Sequence, residues 1–319
     1  MPVPLAIRTE DLSKTFGRGS KSVPAVKHLN LEVEAGQVYG FLGPNGAGKT
    51  TTIRMLMDLI RPSGGNAKIF SRNVRTPGTL RRVGALVEGP AFYGYLSARA
   101  NLEVLARTAG DNRPDRIQML LEQVGLAPRA KQPVSGYSMG MKQRLGIAAA
   151  LLGDPDLVIL DEPTNGLDPA GIQEMRAFIR DLVEKRGKTV FLSSHLLNEV
   201  EQVCDRVAII HIGEMIREGP VAELLANATP TLRVQVSPAK KAEDVLKERW
   251  KVSREPPTME GDSWLIVTAS SQDSPKVVES LVAHGIQVHQ VIARRQTLEE
   301  YFLAATREND MEDPEVQHD

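Results

Sequence analysis

The sequence predicts an α/β protein with a mainly parallel sheet covered by helices on both faces, followed by a small α+β domain. Strand-like apolar runs and segments of helical spacing alternate as far as the Asn227–Pro230 region. Such alternation is typical of a parallel sheet whose crossovers are helices. Beyond that region shorter strands and helices alternate, which predicts a separate compact domain of ferredoxin-like type.

The first domain is predicted element by element from its periodicity. The first strands lie within residues 5–42, on either side of a Gly- and Ser-rich loop. Apolar residues at helical spacing over Ala47–Ile60 predict a helix, which ends at the Pro-Ser-Gly-Gly sequence after Arg61. The later strands are predicted near Ala67–Phe70, Val83–Val87, Asp156–Leu160, Thr189–Leu192 and Arg206–His211. The later helices are predicted near Pro77–Arg82, over Ser97–Val124 with breaks at Gly110 and Pro114, and over Met139–Leu152, Ala170–Lys185 and Leu196–Val203.

The rest of the chain divides into a second domain and a tail. We place the domains at 1–228 and 229–306 and the tail at 307–319. The tail is acidic and contains a proline, a composition typical of disorder. The elements predicted in the second domain are strands Leu232–Val236, Trp264–Thr268 and Gln287–Ile292 and helices Ala239–Trp250, Lys276–His284 and Leu298–Thr306.

Composition excludes several classes of protein. Of the 319 residues, 41% are hydrophobic and 25% are charged, with a formal net charge of -1, so no bulk positive field points to nucleic acid. The single cysteine, Cys204, excludes an internal disulfide framework or a cysteine zinc cluster, and we expect it to be an inert core thiol. No apolar run approaches the ~20 residues of a membrane helix, and we see no signal peptide. We therefore expect a cytoplasmic protein that another chain would hold at a membrane.

Residues 43–50 carry the clearest chemical signal, a phosphate-binding loop of the form G-x-x-x-x-G-K-[ST] between a predicted strand and a predicted helix. Its glycines let backbone N–H groups turn toward phosphate oxygens, and the helix adds the positive end of its dipole. We expect Lys49 to reach the β- and γ-phosphates, the Thr50 hydroxyl to bind Mg²⁺ and Thr51 to contact the α-phosphate. A glycine-rich turn without a ligand is the alternative, and the flanking elements argue against it. The loop alone leaves kinases, GTPases, motor ATPases and transporters open. Its residues are Gly43, Pro44, Asn45, Gly46, Ala47, Gly48, Lys49 and Thr50.

Two acids at the end of a buried strand give a second signal. Asp161 and Glu162 follow the apolar run 157–160, and the carboxyl end of a parallel strand faces the ligand edge of its sheet. Asp161 is therefore placed for the Mg²⁺ shell, and Glu162 to polarise an attacking water. Two surface acids in an exposed turn are the alternative, which the phosphate loop argues against.

Three further segments narrow the family. Residues 134–144 read VSGYSMGMKQR, residues 163–169 read PTNGLDP, and Ser193-Ser194-His195 follows a predicted strand. In this order they resemble the signature sequence, the D-loop and the switch histidine of ABC transporter nucleotide-binding subunits. With the earlier motifs, the resemblance covers roughly residues 5–225. It implies a P-loop NTPase fold with a mainly parallel sheet, an antiparallel β part and a helical subdomain.

The resemblance also implies a mechanism in which two domains enclose two ATP molecules head to tail. Ser138 and Gly140, with the N-terminus of their helix, would cap the γ-phosphate of the opposite subunit. Asp168 would contact that subunit near its phosphate loop, and His195 would contact the γ-phosphate and position water. Phe16 stands where the family has an aromatic residue against adenine. The alternatives are a core aromatic for Phe16 and a structural histidine for His195.

The sequence departs from the family pattern at two places. A glutamine that binds Mg²⁺ and senses the membrane partner normally follows the strand equivalent to Val83–Val87, and Glu88 stands there instead. A carboxylate is a good hard ligand for Mg²⁺, although its charge would slow or retune hydrolysis. Glu88 and the aromatic run 92–95 resemble subunits of bacterial exporters of the bacitracin and lantibiotic-resistance kind. In the signature, the phosphate-facing Ser138 and Gly140 are kept, and the substituted positions are Tyr137, Met139 and Met141.

The resemblance implies an ATP-hydrolysing subunit of an exporter of antibiotic-like or other amphiphilic compounds, with ATP and Mg²⁺ bound, at the inner face of the cell membrane. A second nucleotide-binding subunit is implied; we expect a homodimer, and a different second chain stays open. A separate transmembrane permease would be contacted through residues 89–101, and no nucleic acid is expected as a partner.

Two functions other than transport are alternatives for a chain with these motifs. An ABC ATPase acting on nucleic acid or ribosomes usually has two ATPase domains, a long coiled coil or zinc cysteines, and this chain has one phosphate loop, no heptad run and one cysteine. A regulatory subunit with an inactive site is favoured only by Glu88. It is disfavoured by the presence of the four residues Lys49, Asp161, Glu162 and His195.

Overall fold

A computed structural model describes residues 3–89, 91–108, 113–226, 230–255, 264–294 and 297–298. Contacts divide the chain into two compact units, one that runs to Val221 and one that begins at Ala222. The domain boundary predicted at 228 and the predicted tail, 307–319, lie outside the described residues. So do the helix break predicted at Gly110 and, except for its first residue, the predicted helix Leu298–Thr306.

The strands and helices are numbered in chain order. The strands are β1 (Leu5–Phe16), β2 (Val23–Glu34), β3 (Val38–Leu42), β4 (Gly64–Ile69), β5 (Arg72–Asn73), β6 (Val83–Leu86), β7 (Leu157–Asp161), β8 (Thr189–Ser194), β9 (Arg206–His211), β10 (Glu214–Pro220), β11 (Thr231–Ser237), β12 (Val252–Arg254), β13 (Trp264–Thr268) and β14 (Gln287–Arg294). The α-helices are α1 (Lys49–Leu56), α2 (Ala98–Thr108), α3 (Pro114–Gln123), α4 (Met139–Ala150), α5 (Pro169–Glu184), α6 (Leu197–Glu201), α7 (Val221–Ala226), α8 (Ala239–Lys247) and α9 (Ser274–Ala283). Short 3-10 turns occupy Gly19–Lys21, Thr79–Arg82, Ala127–Arg129, Val134–Gly136 and Ser271–Asp273.

The main sheet of the first unit is mostly parallel, as predicted. Its order within the described residues is β10-β9-β3-β8-β7-β6, with parallel pairing from β9 to β6 and an antiparallel edge strand, β10. Every residue of β3, β7 and β8 is buried, as expected for strands covered on both faces. The parallel strands therefore bring the carboxyl ends of β3, β7 and β8 to one edge.

An antiparallel sheet of order β2-β1-β4-β5 accompanies the main sheet. Its inward residues and those of β3, β7, β8 and α1 form one apolar core. At the centre of this core the ring of Phe191 packs against Tyr39 and Phe41, with centroid separations of 5.8 and 5.6 Å. Helices α2, α3 and α4 contact one another and form the helical part of this unit.

The second unit contains an antiparallel sheet of order β12-β13-β11-β14. Alternate residues of β11 and β13 are buried and pack with residues of α8 and α9 in a separate apolar core. The strands and helices predicted between Leu232 and Ile292 are found here, and β12 is an additional strand that the sequence did not reveal.

Two predictions in the first unit were wrong in detail. The helix predicted near Pro77–Arg82 is a 3-10 turn, because the segment is short and Gly78 at its start has a φ of +83°. The helix predicted over Leu196–Val203 ends at Glu201, which leaves Cys204 in the following turn, buried as expected. Among the described helices, none combines the length and the apolar character that a membrane span requires.

Candidate active site

The phosphate-binding loop connects β3 to α1 at the carboxyl edge of the main sheet. The residues at its crown, 44–46, are exposed, whereas those on either side are buried. Gly43 and Gly48 have no space for a side chain, because a Cβ atom would lie 2.2 Å from the Ile210 carbonyl oxygen at Gly43 and 2.4 Å from the Ala25 carbonyl oxygen at Gly48. Gly48 also has a φ of +106°, a conformation that favours glycine. Strand packing therefore dictates the close turn by which the chain enters α1.

Lys49 is buried at the base of this loop. Its ammonium group donates to the carbonyl oxygens of Gly43 at 2.7 Å and Pro44 at 3.1 Å. The same nitrogen lies 3.3 Å from Oε1 of Glu162. Since a lysine has three donors, this ammonium joins the loop to the carboxylate at the end of β7. Thr51 follows in the first turn of α1 and is half-buried.

Thr50, Asp161 and Ser193 form a hydroxyl and carboxylate cluster beneath the loop. The Thr50 hydroxyl donates to Oδ2 of Asp161 at 2.9 Å, and the Ser193 hydroxyl donates to Oδ1 at 2.6 Å. Hydroxyl and carboxylate oxygens are ligands that Mg²⁺ prefers. The donor set that Thr50 and Asp161 bring together therefore fits a magnesium ion.

Glu162 and His195 lie side by side at the ends of β7 and β8. Oε2 of Glu162 is 2.8 Å from Nδ1 of His195. An ionised carboxylate can only accept hydrogen bonds, so Nδ1 carries the hydrogen in this contact. Glu162 has a φ of +50°, an unusual conformation for a residue with a side chain. Its backbone N–H donates to the Ser193 hydroxyl at 3.0 Å.

Glu88 lies just beyond β6 with a φ of +61°. It forms an ion pair with Arg54 on α1, one turn along the helix from Thr50. The structure thus brings Thr50 and Asp161 together directly, while the contact of Glu88 is with Arg54.

The signature and D-loop residues contact each other rather than the phosphate loop of their own chain, as far as the described residues show. Ser138 caps α4, accepting from the Met141 N–H at 3.3 Å. Asp168 caps α5 through Oδ1, which accepts from the Gly171 N–H at 3.1 Å. A Cβ atom at Gly140 would lie 3.1 Å from Leu167, so the two segments touch there.

Phe16 ends β1 and is 42% exposed. The Lys14 ammonium lies 5.1 Å from the centre of its ring. The ring is therefore accessible, which removes the alternative of a core aromatic.

Comparison with known proteins identifies the family. Residues 26–165 match the family described as "ABC transporter". The chain is 43% identical to the bacitracin transport ATP-binding protein BcrA of Bacillus licheniformis, over 93% of this chain and 96% of that protein. The chain belongs to the ABC transporter ATP-binding protein family. It is therefore an ATP-binding and ATP-hydrolysing subunit of an ABC transporter.

Other members of the ABC transporter family agree with this assignment. The lantibiotic transport ATP-binding protein SrtF of Streptococcus pyogenes is 40% identical over 66% of this chain and 90% of that protein. A solved ATP-binding subunit of an ABC transporter is 27% identical with a TM-score of 0.61, covering 69% of this chain and 92% of that structure. A bacterial ABC transporter cassette solved as a dimer is 25% identical with a TM-score of 0.62, covering 67% and 98%.

Sequence reasoning missed two residues of this ABC site. Ser193 was noted only as part of the segment that leads to His195, yet it contacts Asp161 and the Glu162 backbone. The signal that could have found it is the pair of hydroxyl residues, Ser193 and Ser194, at the carboxyl end of a buried strand. Arg54, the partner of Glu88, gave no signal, because charged residues are ordinary on helix surfaces.

Proposed function

We propose that this subunit drives the export of antibiotic-like or other amphiphilic compounds by binding and hydrolysing ATP in a dimer. Two relatives whose names specify bacitracin or lantibiotic transport support the substrate class. The observation that carries the catalytic proposal is the continuous set of contacts from Lys49 through Glu162 to His195. It lies beside the Thr50 and Asp161 pair at the same edge of the sheet.

The phosphate loop and Lys49 would hold the β- and γ-phosphates. Backbone N–H groups of the loop and the N-terminus of α1 supply hydrogen bonds and a positive dipole end. Lys49 is positioned for this role because its ammonium is already anchored at 2.7 Å on Gly43 at the foot of the loop. The exposed ring of Phe16 would stack on adenine.

Thr50, Asp161 and Glu88 would hold Mg²⁺, which when bound neutralises phosphate charge. Thr50 and Asp161 are in direct contact, whereas Glu88 must first leave or share its ion pair with Arg54. The magnesium role of Glu88 thus depends on a competition between two cations for one carboxylate.

Glu162 would accept a hydrogen bond and then a proton from the attacking water. The water oxygen forms a bond to the γ-phosphorus as the bond to the bridging oxygen breaks, giving ADP and phosphate. His195 would hold the Glu162 carboxylate through the hydrogen bond between Nδ1 and Oε2, 2.8 Å apart. Orientation of this kind lowers the barrier because the base is already placed.

The signature of a second subunit would complete each site. Ser138 and Gly140 stand at the N-terminus of α4, where free N–H groups and the helix dipole favour an anion. Their companion Asp168 would reach the opposite phosphate loop. A solved relative that is a dimer supports the association of two such subunits.

A separate permease would dock on residues 89–101, holding the subunit at the inner face of the membrane. Tyr93 and Tyr95 are 53% and 77% exposed, and their ring centroids lie 5.9 Å apart. A groove of about 1100 Å³ with a mixed polar and apolar lining is formed partly by Ala91 and Phe92 of the same segment. Exposed aromatic side chains are enriched at protein interfaces.

The catalytic proposal is tested with Glu162→Gln, using Glu32→Gln at an exposed position as the matched control. We expect kcat to fall at least about 100-fold in the first variant, because a positioned base contributes roughly that much, and to stay unchanged in the second. Glu162→Gln should still bind Mg-ATP and form a dimer in size-exclusion chromatography only when ATP is present. Equal activity of the two variants would show that Glu162 is not the base.

The docking proposal is tested with Tyr95→Ala, and Val282→Ala serves as the control because its side chain is also exposed, at 60%. We expect the first variant to lose co-sedimentation with membranes of the source cells while its ATPase activity in solution is unchanged. Undiminished co-sedimentation would exclude Tyr95 from the contact.

A further inference from the structure

The Ser193 hydroxyl makes two hydrogen bonds whose directions are both determined. The side chain is completely buried in β8, directly opposite Asp161 in the parallel pairing of β7 with β8. Its hydrogen goes to Oδ1 of Asp161 at 2.6 Å, because an ionised carboxylate can only accept. Its oxygen then accepts the Glu162 backbone N–H at 3.0 Å. One hydroxyl therefore links the two acids of the site.

The first bond fixes the plane of the Asp161 carboxylate. Oδ1 is held by Ser193 and Oδ2 by Thr50 at 2.9 Å, so both oxygens are constrained by hydroxyl groups. A hydroxyl bonded to a carboxylate at this length is a charge-assisted bond, stronger than a neutral one. Without it, Asp161 could rotate about its side-chain bonds and present a different oxygen beside Thr50.

The second bond fixes the backbone from which Glu162 projects. Glu162 has a φ of +50°, a region that residues with side chains rarely occupy unless the surroundings impose it. The Ser193 hydroxyl supplies such a constraint at the Glu162 nitrogen. Its loss would let this residue relax toward an ordinary φ and move its carboxylate away from Nδ1 of His195.

We propose that Ser193 is a positioning residue for ATP hydrolysis: it orients the Asp161 carboxylate and the Glu162 backbone together. This inference rests on the roles proposed above for those two acids. A serine that only satisfied a buried N–H group would affect folding stability alone. A positioning serine affects turnover and the demand for magnesium while leaving nucleotide affinity nearly unchanged, because the Ser193 hydroxyl contacts Asp161 and the Glu162 backbone and would not itself touch the nucleotide.

The test compares Ser193→Ala with Thr189→Val, a variant that removes another buried hydroxyl from β8. Thr189 pairs with Leu157 at the opposite end of the same strands, and its hydroxyl accepts the Gly36 N–H at 2.9 Å. Each variant thus deletes a buried hydroxyl of β8 that accepts a hydrogen bond from a backbone N–H group. The two positions lie about 13 Å apart along the strand. The second is far from the site and controls for the structural cost.

We expect Ser193→Ala to lower kcat about tenfold and to raise the Mg²⁺ concentration for half-maximal activity several-fold, with KM for ATP changed by less than about twofold. Ser193→Thr keeps the hydroxyl and should recover a rate within about threefold of wild type. Thr189→Val should keep both kinetic constants. Ser193→Ala that behaves like Thr189→Val would overturn the inference, as would a Ser193→Thr variant as slow as Ser193→Ala.

Two further variants separate a failure of the positioning role from a failure to fold or from a wrong role for Glu162. If Ser193→Ala fails to fold by circular dichroism, Ser193→Cys replaces it, since a thiol fills the space but is a weak hydrogen-bonding group; a wild-type rate in that variant refutes the inference. Glu162→Gln is assayed alongside. If it is inactive while Ser193→Ala is normal, only the positioning role fails. If Glu162→Gln is fully active, the proposed function of Glu162 fails first.

Discussion

Replacing Arg54 should strengthen the magnesium response of the ATPase, because under the metal role proposed for Glu88 the Arg54 side chain would compete with Mg²⁺ for this carboxylate. In the structure the ion pair is partly solvent-exposed, with 37% of the Arg54 and 51% of the Glu88 side chain accessible. Exposed pairs of this kind contribute about 1 kcal/mol at most. At 1.4 kcal/mol per tenfold, that energy corresponds to about a fivefold preference for the paired state.

The consequence for magnesium follows from the population of free Glu88. When only a fraction of the protein is in the form that can bind a ligand, the apparent dissociation constant equals the intrinsic one divided by that fraction. Arg54→Met keeps the length of the side chain and removes its charge. Since a fivefold preference leaves about one sixth of Glu88 free, we expect the free Mg²⁺ concentration for half-maximal ATPase activity to fall by up to about sixfold, and by less at about 1 M salt, where exposed pairs are screened.

The assay is the initial rate of ATP hydrolysis against free Mg²⁺ at fixed ATP, with Arg54→Lys as a charge-preserving control. Removing the positive charge of Arg54 would also reduce its electrostatic repulsion of Mg²⁺, whether or not Glu88 is involved. The comparison is therefore repeated in a Glu88→Gln background. The shift should shrink there, since the competition needs the Glu88 carboxylate. An equal shift in both backgrounds, or a higher magnesium requirement for Arg54→Met, would refute the reasoning.

Three further predictions concern other parts of the first unit. Phe16→Ala should raise KM for ATP about tenfold, because base–aromatic stacking is worth about 1–3 kcal/mol, whereas Phe16→Tyr should match wild type in the same assay. Burial raises the pKa of the Cys204 thiol well above its usual value, so a thiol reagent should label the native protein negligibly even at about pH 9 and one thiol per chain after denaturation. The hydrogen bond from Lys188 is the main cause of the lowered pKa of Asp154 in the folded state. The contribution of the ionised Asp154 to the free energy of unfolding is therefore complete above the unfolded pKa of about 4, and it is lost as pH falls through the lower folded pKa. Asp154→Asn should accordingly reduce the unfolding free energy in urea by about 1 kcal/mol or less at neutral pH, and a difference that persists at about pH 2 would contradict this account.

The buried strands were predicted well from the sequence. A strand covered on both faces must be a run of apolar residues whatever the rest of the fold, so the run is visible in the sequence. β7 and β8 read as apolar runs that end in polar residues, and in the structure those ends meet at one edge. The strand β10, Glu214–Pro220, was not predicted, because it mixes charged residues with glycine and proline. It forms an antiparallel hairpin with β9 across Ile212 and Gly213, which both have positive φ, so the signal that would have revealed it is the local turn rather than the composition of the strand.

The sequence indicated candidate residues for the site and did not indicate all of their contacts. The motifs indicated Lys49, Asp161, Glu162 and His195 because each motif lies at the carboxyl end of a strand. Parallel strands bring these ends to one edge of the sheet. The sequence could not predict that Glu88 would pair with Arg54, since side-chain partners depend on the distance between β6 and α1. The bond from Ser193 to Asp161 likewise requires knowing that β7 lies beside β8 in a register that sets these residues opposite each other.

Lys49 connects the phosphate loop with Glu162, which contacts His195, and under the roles proposed for these residues this contact would set an order of events. Two of its donors are used on the carbonyl oxygens of Gly43 and Pro44, and its nitrogen lies 3.3 Å from Glu162. A phosphate that takes the remaining donor would weaken the hold of Lys49 on Glu162, because an ammonium has three hydrogens to give. The Glu162 carboxylate would then keep its contact with His195 at 2.8 Å and have Oε1 available for water. Under the proposed roles, phosphate binding and the readiness of the base would be coupled through one ammonium group, so a Lys49→Met variant should lose turnover even at ATP concentrations high enough to saturate its weakened binding.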